Sequence, residues 1–256
     1  MMRVTFLGTG TSGGVPMINC DCAVCRSHNP KNKRLRCSLM VEVDGKHLLI
    51  DTSMDMRQQF LRFPFPKIDA ILYTHAHADH IFGLDEIRRF NYLQKERIPA
   101  YGNRSTLERL LKVFDYAFQD SDKDILPGIP NLSAHLIEKT TEIKSVPVTP
   151  VPLLHGQGET LGYRIGNFAY CTDVSKIPES SFALLKNLDI LVLDALREKP
   201  HPSHMSLDEA IAVAQKIEAK QTYFTHMNHI IDHERHSRLL PEHMAFAYDG
   251  LRLELE

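Results

Sequence analysis

Tryptophan is missing from the 256-residue sequence, and no apolar run approaches the roughly 18 residues needed to cross a membrane. Met1 to Gly10 lacks the cationic start and apolar stretch of a secretory signal. The expectation is a soluble, cytoplasmic protein with no membrane partner. Charge of one sign is scarce too: 30 Lys+Arg face 32 Asp+Glu, a formal net charge of −2 with the histidines neutral. That balance excludes the global basic field that suits a large nucleic acid or an anionic membrane. Five cysteines are too few and too uneven for a disulfide framework. Cys20, Cys22 and Cys25 crowd into six residues, whereas Cys37 and Cys171 sit alone in apolar surroundings. The odd total and the crowding point to metal ligation. No repeat and no linker-like stretch interrupts the chain, so residues 1–256 read as one domain whose 43% apolar content can fill a sizeable core.

What the chain has in excess is histidine, 14 residues. His28, His47, His135, His201, His233, His236 and His243 have no ligand-like context and read as ordinary surface or core residues. The others cluster at the ends of apolar segments. A strand at 3–7 runs into Gly8-Thr-Gly-Thr-Ser-Gly-Gly14, which superficially suggests a dinucleotide fingerprint. Pro16 and the cysteines follow where that fingerprint requires a helix, so it is set aside. Residues 15–36 form a polar loop too poor in apolar residues to pack alone. Strands at 38–43 and 47–50 join through Asp44-Gly45, a strong hairpin turn. Further strands are expected at 68–73, 98–101, 143–154, 160–165, 167–171, 190–193, 221–225, 245–248 and 251–255. Helices are expected at 55–62, 82–96, 106–118, 179–186 and 206–217, with a long solvated loop or lid at 119–132 carrying Asp120, Asp122 and Asp124. Two blocks of strands followed by helices predict an α/β fold, a single sandwich of two mixed sheets flanked by helices.

The segment that carries chemistry is His75-x-His77-x-Asp79-His80, directly after a buried strand. Two residues apart in an extended stretch, His75 and His77 point to one side and can share an ion. Asp79 and His80, where the chain turns into a helix, can address a second ion.

This segment resembles the signature of the metallo-β-lactamase superfamily. His155, Asp173 and His226, each at the end of an apolar strand, occur in the order that superfamily uses for its remaining ligands. The resemblance implies the αββα sandwich fold and an assignment: His75, His77 and His155 on one metal, Asp79, His80 and His226 on the other, and Asp173 bridging. Phe6-Leu-Gly-Thr-Gly10 and Leu49-Ile-Asp-Thr52 also match superfamily patterns, in which the residue at Asp51 is a buried structural acid. Flavodiiron relatives carry Glu at the place of His77, and degenerate members lack ligands, whereas all seven positions are intact here.

Cys20-x-Cys22-x-x-Cys25 is one ligand short of a closed tetrahedral zinc site. It is similar to the PhnP-type cyclic phosphodiesterase branch, where such a triplet is completed by a His three residues after the last active-site His; here that is His229. The resemblance thus implies a structural Zn²⁺ on the 15–36 loop, beside two Zn²⁺ or Mn²⁺ ions in the active site. PqqB-like proteins share a similar cysteine segment. In PhnP-type enzymes and tRNase Z a His in the region of His204 contacts the scissile phosphate, and Arg197 close upstream is a candidate for holding an anionic substrate. Ser206 with Glu209 forms a capping box just beyond. The implied mechanism is in-line attack of metal-activated water on phosphorus, with Asp79 orienting the nucleophile and His204 donating to a phosphoryl oxygen or the leaving group. Only 17 residues lie between His155 and Asp173, too few for a tRNA-gripping arm. The expected substrate is a small cyclic or linear phosphodiester, of ribosyl cyclic phosphate or 2′,3′-cyclic nucleotide type. Competing readings are a PqqB-like cofactor-biosynthesis protein and a glyoxalase II-like thioester hydrolase. A homodimer is compatible with all of them.

Overall fold

Apolar runs, buried on both faces in central strands and alternating towards the edges, build two seven-stranded sheets in the computed structural model, which describes residues 1–119 and 128–256. In chain order the strands are β1 (Met2–Gly8), β2 (Ser38–Val43), β3 (Lys46–Ile50), β4 (Ala70–Leu72), β5 (Ile98–Gly102), β6 (Leu132–Leu136) and β7 (Thr141–Ile143). There follow β8 (Val146–His155), β9 (Gly158–Ile165), β10 (Phe168–Cys171), β11 (Ile190–Asp194), β12 (Gln221–Thr225), β13 (Met244–Phe246) and β14 (Arg252–Leu255). One sheet runs β14-β1-β2-β3-β4-β5-β6 and the other β13-β12-β11-β10-β9-β8-β7. Both are mixed. In the first, pairing is antiparallel from β14 to β3 and parallel from β3 to β6. In the second it is antiparallel from β7 to β10 and parallel from β10 to β13.

The period-two alternation of strand side chains divides the core into layers. Leu39, Val41, Leu48, Ile50 and Leu72 meet Tyr163, Phe168, Tyr170 and Val192 between the sheets. Their neighbours Met40, Leu49 and Ile71 face the other way, onto helices Met56–Arg62, Ile87–Gln94 and Arg104–Val113. Ala169, Cys171, Leu191 and Leu193 likewise face helix Leu207–Ile217. This is the metallo-β-lactamase αββα sandwich. The carboxyl ends of β3, β4, β10, β11 and β12 all open at one rim, where ligand sites of parallel sheets are built.

Three local expectations are corrected. The helix placed at 82–96 starts earlier and breaks into Ala78–Ile81, a 3₁₀ turn Leu84–Glu86 and Ile87–Gln94. Gly83 sits at the break because its backbone is pressed on the β3 end: its N–H donates to Thr52 O at 3.0 Å, and a Cβ there would lie 2.0 Å from Ser53 O. The helix placed at 106–118 spans Arg104–Val113, capped by the Asn103 side chain, which accepts from Thr106 N at 2.9 Å. Residues 132–136, of which only Leu132 belongs to the expected 119–132 loop and the rest carry no expected element, form β6, and a short helix His233–Ser237 was not expected. Asp120, Asp122 and Asp124 lie outside the described residues.

The polar loop 15–36 carries two short pieces, Ala23–Arg26 and Pro30–Asn32, over a small cluster of Val15, Val24 and Cys25. Arg34 pins it from within. Buried to 1% exposure, its guanidinium donates to Asn228 O at 3.0 Å, Ile231 O at 2.8 Å and Asn32 Oδ1 at 3.2 Å. The loop is thereby tied to the segment that follows β12.

Candidate active site

Seven residues named from the sequence converge at the open rim. His75, His77, His155 and Asp173 present ligand-type atoms within 4.8 Å of one another, as do Asp79, His80 and His226. Asp173 is central to both groups: its carboxylate oxygens lie 3.7 Å from His75 Nε2, 3.9 Å from His155 Nε2, 3.3 Å from His80 Nε2 and 3.4 Å from His226 Nε2. Asp51, Asp173 and His226 hold positive φ angles of 62°, 53° and 60°, a region L-residues seldom adopt. Each stands where an apolar strand turns over, so the left-handed kink aims the side chain at the rim.

Neighbouring residues fix the imidazoles. His80 Nδ1–H donates to Asp51 Oδ2 at 2.7 Å, and Asp51 also accepts from Thr74 N and Thr74 Oγ1, both at 2.8 Å. Because the Thr74 hydroxyl proton goes to Asp51, its oxygen is left to accept from His75 Nδ1 at 3.0 Å. His155 Nδ1–H donates to Ser203 O at 2.6 Å. In each case Nε2 is left as the nitrogen free to coordinate an ion. Asp51 therefore orients ligands without being placed among them.

The donor set fits divalent metal ions on three counts. Nε2 of His75, His80 and His226 is buried without a hydrogen-bond partner. His155 Nε2 and His77 Nδ1 stand 3.3 Å apart, and two imidazoles on one tetrahedral ion with bonds of about 2.0–2.1 Å have that spacing. Four buried carboxylates, Asp51, Asp79, Asp173 and Asp194, make the centre a place for positive charge. The protein's own groups register that field. Burial alone would lower the His226 pKa, but Asp173 and its neighbours push it up to about 9. Burial would raise the Asp79 carboxyl, yet the His80 and His226 imidazoles hold it well below the usual carboxylate range.

His204 joins the same centre. Its ring stacks on His226 with centroids 4.7 Å apart and 13° between planes, and its Nδ1–H donates to Asp194 Oδ2 at 2.8 Å. Asp194 also accepts from Val174 N at 2.8 Å, which fixes the carboxylate. The sequence reading missed Asp194, although it carries the same signal as the others, an acid closing the apolar strand β11. Arg197 is engaged locally: Nε donates to Lys199 O at 3.0 Å and Nη2 to Pro200 O at 2.7 Å, so it shapes the loop leading to His204. The Ser206–Glu209 capping box is formed and starts helix Leu207–Ile217.

The cysteine cluster forms a separate group. Cys20, Cys22, Cys25 and His229 present ligand atoms within 4.8 Å of one another, with His229 Nδ1 at 3.2 Å from Cys20 Sγ and 3.4 Å from Cys22 Sγ. Burial raises the Cys22 thiol, but the Cys25 backbone N–H, His229 and the other thiols together bring it to about 6. A thiolate at neutral pH suits a closed zinc site. All five cysteines are free.

Residues 46–227 match the family described as Beta-lactamase superfamily domain. The chain is similar to the crystal structure of a diphosphatase from the PhnP family, 47% identical with a TM-score of 0.93, over 100% of this chain and 98% of that one. Zn²⁺-bound PqqB from Methylobacterium extorquens, 22% identical with a TM-score of 0.81 over 99% of this chain and 100% of that one, shares the fold. A protein of Porphyromonas gingivalis named octanoyltransferase is 36% identical over 255 residues, 98% of this chain but 51% of that protein. The chain thus spans about half the length of that relative. Among the described residues, no helix is long and apolar enough to cross a membrane.

Proposed function

We propose that the chain, a member of the beta-lactamase superfamily, is a metal-dependent hydrolase that cuts a phosphorus–oxygen bond in a small phosphodiester or diphosphate. The observation that carries this reading is the Asp194–His204 pair beside the ligand cluster. With Nδ1 committed to Asp194 at 2.8 Å, Nε2 of His204 is the atom left to meet a substrate oxygen. The 47% identity to a PhnP-family diphosphatase supports phosphoryl chemistry, and the short link between His155 and Asp173 supports a small substrate. Cyclic ribosyl phosphates and 2′,3′-cyclic nucleotides fall in the class.

In this proposal His75, His77 and His155 would hold one Zn²⁺ or Mn²⁺, Asp79, His80 and His226 a second, and Asp173 would touch both. Such ions, when bound, polarise phosphoryl oxygens and lower the pKa of water. The protein's own groups do the rest. Asp79, kept ionised, accepts a hydrogen bond from the attacking water and so orients it. Asp194 holds His204 in one orientation, and His204 donates a proton to the leaving oxygen. The Asp51–Thr74 pair keeps His75 and His80 pointed inward. Arg197 maintains the loop that presents His204. Cys20, Cys22, Cys25 and His229 would take a structural Zn²⁺, and their free thiols suit a reducing, cytoplasmic setting.

The test is a substrate panel with added Zn²⁺ or Mn²⁺: bis-p-nitrophenyl phosphate, a 2′,3′-cyclic nucleotide, a dinucleoside diphosphate, p-nitrophenyl phosphate and an octanoyl thioester. The last arm is included because of the name of the Porphyromonas gingivalis relative. Turnover of diesters or diphosphates above the monoester and the thioester is the expected result. Preference for the thioester would overturn the proposal.

A further inference from the structure

The segment Pro200-His-Pro-Ser-His204 fixes three imidazoles at once. Ser203 O accepts the Nδ1–H of His155 at 2.6 Å, and His204 Nδ1–H is taken by Asp194. The third is His201, one of the histidines without ligand-like context in the sequence. Ser203 N donates to His201 Nδ1 at 3.3 Å, and Ser203 Oγ lies 3.2 Å from the same nitrogen. A ring nitrogen that accepts a backbone N–H carries no proton, so the His201 proton sits on Nε2.

His226, His204 and His201 follow one another outward from the metal-ligand cluster. His226 and His204 stack at 4.7 Å, and the His204 and His201 ring centroids are 5.3 Å apart with 48° between planes. Side-chain exposure rises from 1% at His226 to 11% at His204, and His201 beyond them is half-buried. Burial first, then the nearby charges of His204 and Arg197, hold the His201 imidazole below its ordinary pKa. It is a neutral, oriented N–H donor at the outer edge of the reacting groups, on a loop that also carries Arg197 and Lys199.

We infer that His201 is a specificity-determining residue whose Nε2–H donates a hydrogen bond to the anionic group next to the scissile phosphorus, such as the second phosphoryl group of a diphosphate. The inference rests on the phosphorus–oxygen hydrolase reading above. His204 serves the bond that breaks; His201, one ring further out, serves what is attached to it. No bond to His201 forms or breaks, so its contribution lies in binding. A hydrogen bond to a charged oxygen is among the stronger ones in proteins, and its loss is expected to cost about tenfold or more in kcat/KM.

The test compares the wild type with His201→Ala and His201→Gln on two substrates, a dinucleoside diphosphate with two phosphorus atoms and bis-p-nitrophenyl phosphate with one. In His201→Ala the ratio of kcat/KM for the diphosphate to that for bis-p-nitrophenyl phosphate is expected to fall about tenfold, chiefly through KM. His201→Gln, which restores an N–H donor, is expected to recover most of that ratio. An equal loss on both substrates, or a ratio that does not move, would overturn the inference while leaving the hydrolase reading intact. Failure of the wild type on both substrates would overturn that reading and this inference with it.

Discussion

Asp194 accepts the Nδ1 proton of His204 through Oδ2 at 2.8 Å while its Oδ1 stands 3.8 Å from His226 Nδ1. One carboxylate at the end of β11 thus addresses both the proposed proton donor and a proposed metal ligand. Asp194→Asn keeps the shape but removes the charge and one acceptor. Turnover at saturating metal is expected to fall about 10²-fold, and metal affinity about tenfold through His226. Kinetics and metal competition on one variant read both effects; normal turnover would separate Asp194 from the chemistry.

Asp173 lies within 4 Å of four imidazole nitrogens, those of His75, His80, His155 and His226. Asp173→Ala should therefore uncouple both metal positions and abolish nearly all activity even with excess metal. Near-normal turnover in that variant would contradict the bridging role.

Cys22 joins the loop 15–36 to His229, and Arg34 joins the same loop to Asn228 and Ile231. His226 and His229 share one short segment, so loosening the loop reaches the active site. Cys22→Ser is expected to lower the melting temperature and to open residues 15–36 to protease. An unchanged melt and unchanged digestion would remove the structural-zinc assignment.

The seven residues that converge at the rim were legible because each breaks a simple local pattern, an apolar run closed by His or Asp. Asp194 breaks the same pattern but is an acid in an otherwise unremarkable strand. Its role exists only because β11 lies between β10 and β12, which sets it beside Asp173 and His226. His201 was illegible for a related reason: its orientation comes from Ser203, two residues on, and its setting from a stack of rings that the chain order does not reveal. Arg197, a substrate-binding candidate from its charge and its place close upstream of His204, has in addition a structural engagement that chain order does not reveal: loop carbonyls accept from two of its donor groups. Among the elements, β6 was missed because three of its five residues, Ala134, His135 and Leu136, are exposed and mask the strand pattern. The break at Gly83 comes from contact with the β3 end, a tertiary constraint that helix periodicity cannot register.

Metal stoichiometry gives a further check. Two groups of active-site ligands and one Cys₃His group imply about three equivalents per chain after gentle purification and reconstitution. Elemental analysis that stays near one equivalent would contradict the binuclear centre.

The central claim is that His204 acts on the substrate and not as a metal ligand, and metal content and phosphodiesterase rate measured on one preparation of His204→Ala test it most directly. Asp173, His204 and His226 present ligand-type atoms within 4.8 Å, so ligation is a real competitor. A positioned proton donor predicts wild-type metal content with turnover lower by about 10²-fold or more. Loss of metal in step with activity, or a rate that does not change, would contradict the account.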